Sequence, residues 1–434
     1  MGKDKSVLVL SGVRGDTRRY RTIHSYEQLK LAGVDCQLSH ITDPKLFQKI
    51  ASSSVIIFHR TSFNPYVEQL LEIIQNQNGL IISDIDDLVF DPTAFQWIDS
   101  PDFQDPVRAA LYQEDMHRNR ATLEASQAVT ASTQYLAEQV RALDKPAWVH
   151  RNAFSLELLA ISEEAYQHKQ PIAGKVVIGY ASGTPTHDHD FEVAKPALLH
   201  ILQRYPEAEL WIIGHLNPGK DWQGLEDRIL HHKLVPWRKL PELLAKLDIN
   251  IAPLVTSNPF GKSKSELKYV EAGLVSVPTI ASPTEAFKFA IQSSVTGILA
   301  DDEKEWSDAF ALLIEQVETR RSMAERAYAD VLERYHPVVR SAELINTLNQ
   351  IHEQFFAEPL WTPVALDNQK TRHPIAVNHP NGTWDSIAIE QTPTLAQMAL
   401  HTLRHRGFRT MFMQAWIYFR RLVTPIFPYK NPEQ

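Results

Sequence analysis

The sequence predicts an α/β protein of two tandem domains, each a doubly wound parallel sheet, followed by a helical C-terminal extension. Three observations predict it. Short apolar runs alternate with helix-period segments over the first three quarters of the chain, the pattern of a parallel sheet covered by helices on both faces. The alternation pauses over 155–174 and then restarts, which divides it into two sets of strand–helix units. At 434 residues the chain also exceeds one ordinary hydrophobic core.

In the first set, Val7–Leu10, Val55–Phe58, Leu80–Ser83, Ala128–Ser132 and Ala147–His150 read as strands. Thr22–Ala32, Pro65–Gln77 and Val107–Ser126 carry apolar residues at helical spacing. The polar stretch Ser155–Gly174 is expected to hold no strand. The second set begins at Lys175–Tyr180 and continues through the helix Phe191–Tyr205. Its further strands are expected at Glu209–Gly214, Leu234–Val235, Ile249–Pro253, Thr279–Ala281 and Gly297–Leu299. A helix over Glu303–Tyr335 stops at His336-Pro337, where proline cannot continue the ladder, and a further helix runs to about Phe356. The expected domains are therefore 1–170 and 171–336. A helix over 337–357 returns toward the first domain, and 358–434 forms an irregular linker with a basic amphipathic end.

Composition narrows the function classes. An apolar fraction of 44% with 22% charged residues is globular, and a net charge of −8 leaves no basic field to recruit nucleic acid. Cys36 is the single cysteine, which excludes an intramolecular disulfide and a zinc site built on cysteines, and which fits a reducing cytosol. The run Ser6–Leu10 is too short for a signal h-region, and no stretch approaches the ~20 apolar residues of a membrane span. The expectation is a soluble or peripheral protein.

Four places carry chemistry. After the first strand comes Ser11-Gly12-Val13-Arg14-Gly15-Asp16, a glycine turn feeding a helix, with Arg18, Arg19 and Arg21 adding cationic reach. Such a turn suits an anion, although many α/β proteins open this way with nothing bound. The second place is Ser83-Asp84-Ile85-Asp86-Asp87-Leu88-Val89-Phe90-Asp91, at the carboxyl end of a strand, where ligands of open α/β sheets gather. Crowded carboxylates repel one another, so they need a reason: a divalent cation, or an aspartate placed at a reacting centre. Turn and cap formation accounts for one or two of them.

The third place, Gly179–Asp190, offers small and hydroxyl residues from Ser182 to His187 at the end of a strand, with Asp190 expected as a helix N-cap. The fourth is Asn258-Pro259-Phe260-Gly261-Lys262-Ser263-Lys264-Ser265-Glu266-Leu267-Lys268-Tyr269-Val270-Glu271-Ala272-Gly273, leading to Val277-Pro278. Lys264 and Lys268 can neutralise a diphosphate beside the helix start, and Glu271 can accept hydrogen bonds from two ribose hydroxyls. An ordinary amphipathic helix with solvated lysines is the plain alternative.

In order and spacing, these landmarks over about Lys5–Pro337 resemble the GT-B-fold glycosyltransferases of the retaining family-4 group. Ala131-Ser132-Thr133, His150-Arg151-Asn152-Ala153 and Val235-Pro236-Trp237 belong to the same series. The resemblance implies two Rossmann-like domains facing a cleft, the first for acceptor and the second for a nucleoside-diphosphate-sugar donor. It implies sugar transfer to an acceptor hydroxyl, with retention, and no metal or cofactor beyond the donor as co-substrate. Asp86, Asp87 and Lys264 take catalytic roles; Gly15, Ser182, Gly183, Thr184, Lys264, Lys268 and Glu271 bind donor; Arg19, Arg21, His59 and Asn258 contact acceptor or sugar. Glu271 matches the second glutamate of the family's Glu-x₇-Glu motif, but Ser263 stands where the first would be. The arginine often found after the first strand of the donor domain is absent too, and Asp86 stands where a family histidine often lies.

The implied setting is glycan or cell-envelope polysaccharide synthesis in the cytoplasm or on its membrane face, with a saccharide or lipid-linked glycan as acceptor. Two other classes share these features: an inactive nucleotide-binding scaffold, and a sugar-nucleotide epimerase of the same fold. A nicotinamide dehydrogenase fits less well, because the first turn lacks Gly-x-Gly-x-x-Gly. The end segment Leu395–Phe427 sets Leu403, Phe408, Met411, Phe412, Trp416 and Phe419 among Arg404, Arg406, Arg409, Arg420 and Arg421. Such a helix lies in a membrane interface or packs on the protein's own domains.

Overall fold

The structure, a computed structural model, describes residues 5–184, 186–219, 221–361 and 393–423. The first domain holds six strands: β1 Val7–Ser11, β2 Cys36–His40, β3 Val55–His59, β4 Leu80–Ile85, β5 Ala128–Ala131 and β6 Ala147–Val149. The second holds β7 Val176–Ser182, β8 Ala208–Gly214, β9 Ile229–His232, β10 Ile249–Ala252, β11 Thr279–Ala281 and β12 Ile298–Leu299. Their orders are β2-β1-β3-β4-β5-β6 and β12-β11-β10-β7-β8-β9, and the strand pairings are parallel. Each order reverses direction once, between β1 and β3 in the first sheet and between β7 and β10 in the second. Beyond the carboxyl ends of the strands at such switch points, the flanking connections diverge and leave a crevice.

The central strands are apolar on both faces, as sheets covered on two sides require: all five residues of β1 and of β3 are buried. Val9 sits in register with Leu38 and Ile57. The helix Pro337–Phe356 returns to the first domain and buries Leu344, Ile345, Leu348 and Ile351 in the core that holds Val7, Val9 and Leu38. Each such aliphatic side chain contributes about 1.5–3 kcal/mol.

Several elements differ from the sequence reading. The stretch 155–174 has no strand, yet it contains the helix Leu156–Gln167, capped by the Ser155 hydroxyl on the Leu158 N–H at 3.1 Å. The strand expected at Leu234–Val235 is instead β9, an edge strand with part-exposed residues and a weak apolar signal. Strand β2 and the helix Leu46–Ala51 carry little apolar pattern and were not anticipated. The helix over 303–335 is two, Glu303–Glu315 and Val317–Tyr335, broken at Gln316. Asp190 lies inside the one-turn helix Asp188–Phe191, whose N-cap is His187, so it is not the expected cap.

The extension is helical over Leu395–Val423, interrupted at Gly407 with φ 85°. Its N-terminal part packs on the first domain: Tyr66 stacks on His405 at 4.3 Å, and Arg406 pairs with Asp115 at 2.8 Å. Phe408 and Phe412 stay exposed, at 65% and 57%. Both alternatives for this segment thus retain a face. The side chains of Trp416, Phe419, Arg420 and Arg421, and residue Phe427, lie outside what is described. No described helix is long and apolar enough to cross a membrane.

Candidate functional site

A cavity of about 320 Å³ lies between the domains, walled by the turns after β1, β4 and β7 and by the helix Leu267–Gly273. On the first-domain side the key element is Arg60, just beyond β3, held at φ 43°. Its Nε donates to Asp86 at 2.6 Å and its Nη2 to Asp87 at 2.5 Å. One guanidinium thus bridges both carboxylates, and Lys264 supplies the second positive charge at Asp87, which together answer the crowding seen in the sequence. Gly12 makes room for this backbone, since a Cβ there would stand 2.3 Å from the Arg60 carbonyl oxygen. Burial pushes the Asp86 carboxyl up, but Arg60, His59 and the Thr17 hydroxyl outweigh it and hold it at about 2.

The other two aspartates of the cluster are structural. Asp84 is buried and takes both Nε and Nη2 of Arg21, at 2.9 and 2.5 Å, while Thr130 donates to it at 2.7 Å. Asp91 caps the turn Pro92–Trp97 through the Thr93 N–H. Among the described residues no group of three or more His, Cys, Asp or Glu side chains is placed to hold a metal ion.

The helix after β1 runs in three pieces, Asp16–Arg18, Arg19–Ile23 and His24–Leu31, the middle one a π-turn. Widened turns of this kind re-aim side chains. Here Arg19 and Tyr20 reach the cavity, while Arg21 is buried among Asp84, Asn152 and the His150 carbonyl. The Arg19 guanidinium lies 4.2 Å from the Tyr20 ring and 4.5 Å from that of Trp237, so it bridges the two domains.

From the second domain, β7 ends at Ser182, and Ser182, Gly183 and Thr184 line the cavity beside the β7/β10 switch. Lys264 crosses to Asp87, Nζ to Oδ1 at 2.9 Å. Lys268 donates to the Ala181 carbonyl and sits 4.6 Å from the Tyr180 ring. Burial brings its ammonium down to about 8, with Glu271 and Asp190 opposing. Glu271 accepts a short hydrogen bond from the Tyr20 hydroxyl, and burial raises its carboxyl against Tyr20, Arg19 and Lys268. Asn152 donates to Ser265 at 2.9 Å, and Arg151 pairs with Glu285 at 2.6 Å, so further polar ties close the domains on each other.

Residues 175–316 match the family described as glycosyl transferases group 1. The match runs from β7 to the end of the helix Glu303–Glu315 in the second domain. Three solved structures share the architecture of the whole. HepE from Anabaena in complex with UDP-glucose is 16% identical, covering 80% of this chain and 99% of that one, with a TM-score of 0.54. Sucrose-phosphate synthase from Thermosynechococcus elongatus is 15% identical over 81% and 100%, at 0.53. A glycosyltransferase from Rickettsia africae is 10% identical over 81% and 99%, also at 0.53. At such identities the likeness is one of fold, and the fold is GT-B. Comparison with curated proteins gives no match.

The second domain brings Ser182, Gly183, Thr184, Lys264, Lys268 and Glu271 onto one cavity, facing Arg19, Asp86 and Asp87 of the first domain. Four expected contacts lie elsewhere. Gly15 is exposed with φ 86° and stops one residue short of the wall, which Asp16 and Thr17 form. Arg21 is sealed behind the cavity by its ion pair with Asp84. His59 is fully buried, with Nε2 3.1 Å from the Thr17 hydroxyl and Nδ1 3.2 Å from the Asp84 carbonyl, so it buttresses that wall. Asn258 caps the turn Pro259–Lys262 and donates to the Trp97 carbonyl at 2.9 Å, which makes it an inter-domain tie. Ser263, in the place of the family's first glutamate, is buried and bonded to the Phe260 carbonyl. Arg60, Thr17, Tyr20, Asn152 and Trp237 were not singled out for the site. Only the proximity of Arg19 and Arg21 hinted at Tyr20, and no local signal marked Arg60.

Proposed function

We propose that the protein transfers a sugar, with retention, from a nucleoside diphosphate to an acceptor hydroxyl in the cleft between its domains. The bond from the anomeric carbon to the diphosphate oxygen breaks, a bond to the acceptor oxygen forms, and the acceptor proton leaves with the diphosphate. The observation that carries this reading is the convergence of Lys264, Lys268 and Glu271, from one loop and helix, on a cavity shared with Asp86 and Asp87. Lys264 and Lys268 meet the negative charge that grows on the leaving diphosphate, where preorganised cations lower the barrier. Glu271 receives the ribose hydroxyls, exchanging the Tyr20 hydroxyl for them. Asp86, fixed by Arg60 and Thr17, orients the acceptor or sugar hydroxyls. Structures in complex with UDP and with UDP-glucose among the fold's relatives support a uridine nucleotide as the first probe.

We place the acceptor among saccharides and lipid-linked glycans, and the reaction in glycan or envelope polysaccharide synthesis at the cytoplasmic side of a membrane. The exposed Phe408 and Phe412 of the extension support peripheral contact there. The deciding experiment screens UDP, GDP, ADP and dTDP and their sugars by thermal shift, then assigns the product's anomeric configuration by proton NMR. An inverted product removes retention. Donor binding without any transfer or hydrolysis would favour a binding scaffold, which the burial of Ser263 in place of a motif glutamate makes a specific alternative. Epimerised donor without an acceptor would identify an epimerase.

Two outcomes follow for donor binding. Glu271→Gln is expected to weaken UDP-glucose binding about tenfold, because hydrogen bonds to an ionised acceptor exceed neutral ones by about 1–1.5 kcal/mol. Calorimetry checks this, and an unchanged affinity removes the ribose assignment. Lys268 is roughly half protonated at pH 8, its pKa being about 8, and a diphosphate favours the charged form. Donor binding at pH 8 therefore takes up about half a proton from this group, and affinity declines as pH rises above it. Calorimetry in two buffers of different ionisation enthalpy measures the uptake, and Lys268→Met abolishes it.

A further inference from the structure

We infer that a second cavity, at the carboxyl ends of β1, β2 and β3 beneath the C-terminal extension, holds a phosphate group carried by the acceptor. The inference rests on the proposed transfer reaction for its context. The cavity has a volume of about 250 Å³ and lies at the switch point between β1 and β3, the one crevice of the first sheet that topology reserves for a ligand. One of its walls is the turn Gly12–Arg14, and two residues further on Asp16 and Thr17 line the donor cleft. A second wall continues from Arg60, which grips Asp86 and Asp87, into Thr61 and Ser62. The two cavities thus share the loop after β1, and the loop after β3 joins the wall of the second cavity to the Arg60 that fixes Asp86 and Asp87 in the first.

Two features select an anion. Arg14 stands exposed on the wall with no ion-pair partner among the described residues, and Arg406 from the extension pairs with Asp115 at 2.8 Å, so the balance of these three groups is positive. Second, His40 is 3% exposed on the wall, and its Nδ1 accepts from the Thr42 N–H at 3.2 Å. The ring proton is therefore on Nε2, a buried donor with no hydrogen-bond partner. Burial above all, with Arg18, His401 and Arg14 adding to it and Asp43 opposing, brings the His40 ring down to about 3, so the ring is a neutral donor near pH 7. An unpaired buried donor and a surplus cation suit a phosphate far better than a neutral hydroxyl. The extension supplies His401 and Arg406 to this cavity, so it forms part of the acceptor site.

The phosphate belongs either to a soluble sugar phosphate or to the phosphate link of a lipid-borne glycan. Calorimetry on the full chain with glucose 6-phosphate and with glucose tests the first. Flotation with phosphatidylcholine vesicles containing phosphatidic acid tests the second. Binding of glucose 6-phosphate but not glucose, or of the acidic vesicles, is expected to weaken at least tenfold in Arg14→Glu and to persist in Lys246→Glu, the same charge change on an exposed position of the second domain outside the cavity. Equal loss in both variants, loss in Lys246→Glu alone, or no phosphate-dependent binding in either arm overturns the inference. UDP-glucose affinity, measured in parallel, is expected to be unchanged in Arg14→Glu. Its retention together with absent phosphate binding would refute the acceptor pocket and leave the transferase reading intact. Absent UDP-glucose binding in the unmodified chain would instead strike the transferase reading.

Discussion

Lys264→Ala is expected to lower turnover by about 10²–10³-fold, the loss seen when one preorganised group facing a developing negative charge is removed. Lys262→Ala, two residues away on the same loop, is expected to change it by less than about threefold. The two lysines are alike in sequence and differ in aim. Lys264 lines the cavity, lies 4.4 Å from the Phe260 ring and reaches Asp87 at 2.9 Å, whereas Lys262 is absent from the wall. Asp87 holds the ammonium in place, so in the proposed reaction it would meet the charge of a departing diphosphate without having to be recruited from solvent. The loss should therefore fall mainly on kcat rather than KM, as for an interaction strongest in the transition state. Equal effects of the two substitutions on transfer or donor hydrolysis would defeat the assignment.

Asp84→Asn is expected to destabilise the first domain by about 3–5 kcal/mol, the usual cost of stranding one member of a buried ion pair. Arg21 is 1% exposed and Asp84 3%, and Asp84 receives two of its nitrogens, so the amide leaves a guanidinium without its counter-charge. The damage also reaches the cleft, because Arg21 holds Asn152 at 3.0 Å and Asn152 in turn bonds Ser265 of the other domain. Burial raises the Asp84 carboxyl, but Arg21 and His59 outweigh it and hold it far below the usual carboxylate range. Its stabilisation is then complete above the unfolded value near 3.9 and is lost as pH falls through the folded value. Melting curves should show a constant gap between the two proteins from pH 7 to about pH 5 that closes only in stronger acid. A gap that closes near neutrality would assign the stability to another group.

The local signals in the sequence were of two kinds, and they fared differently. Glu271, Lys268 and Lys264 could be read because they sit three and four residues apart on one loop and helix, so a local pattern already places them together. Strands such as β1 and β3 could be read from unbroken apolar runs, whereas β9 and β2, edge strands with mixed residues, could not. The aspartate cluster was legible as an anomaly, but its resolution was not. Asp84 is a buttress, Asp91 a cap, and only Asp86 and Asp87 reach the cavity. Arg19 and Arg21 show the limit most plainly. They stand two residues apart, and the π-turn sends one to the cleft and the other into the core, a matter of helical phase that residue type does not reveal.

By itself the sequence determined the two-domain α/β architecture, the grouping of Lys264, Lys268 and Glu271 on one loop and helix, and the helical extension, because periodicity, turn chemistry and short motifs are properties of neighbouring residues. Tertiary structure alone decided which charges are spent on folding and which face a ligand. Asp87 meets Lys264 across 177 residues, Tyr20 meets Glu271 across 251, and Arg406 closes a cavity built by Asp115 and the first turn. Such pairings are set by how two sheets and a returning helix pack. No local pattern can encode them, since each partner has the same immediate neighbours whether or not the other is there.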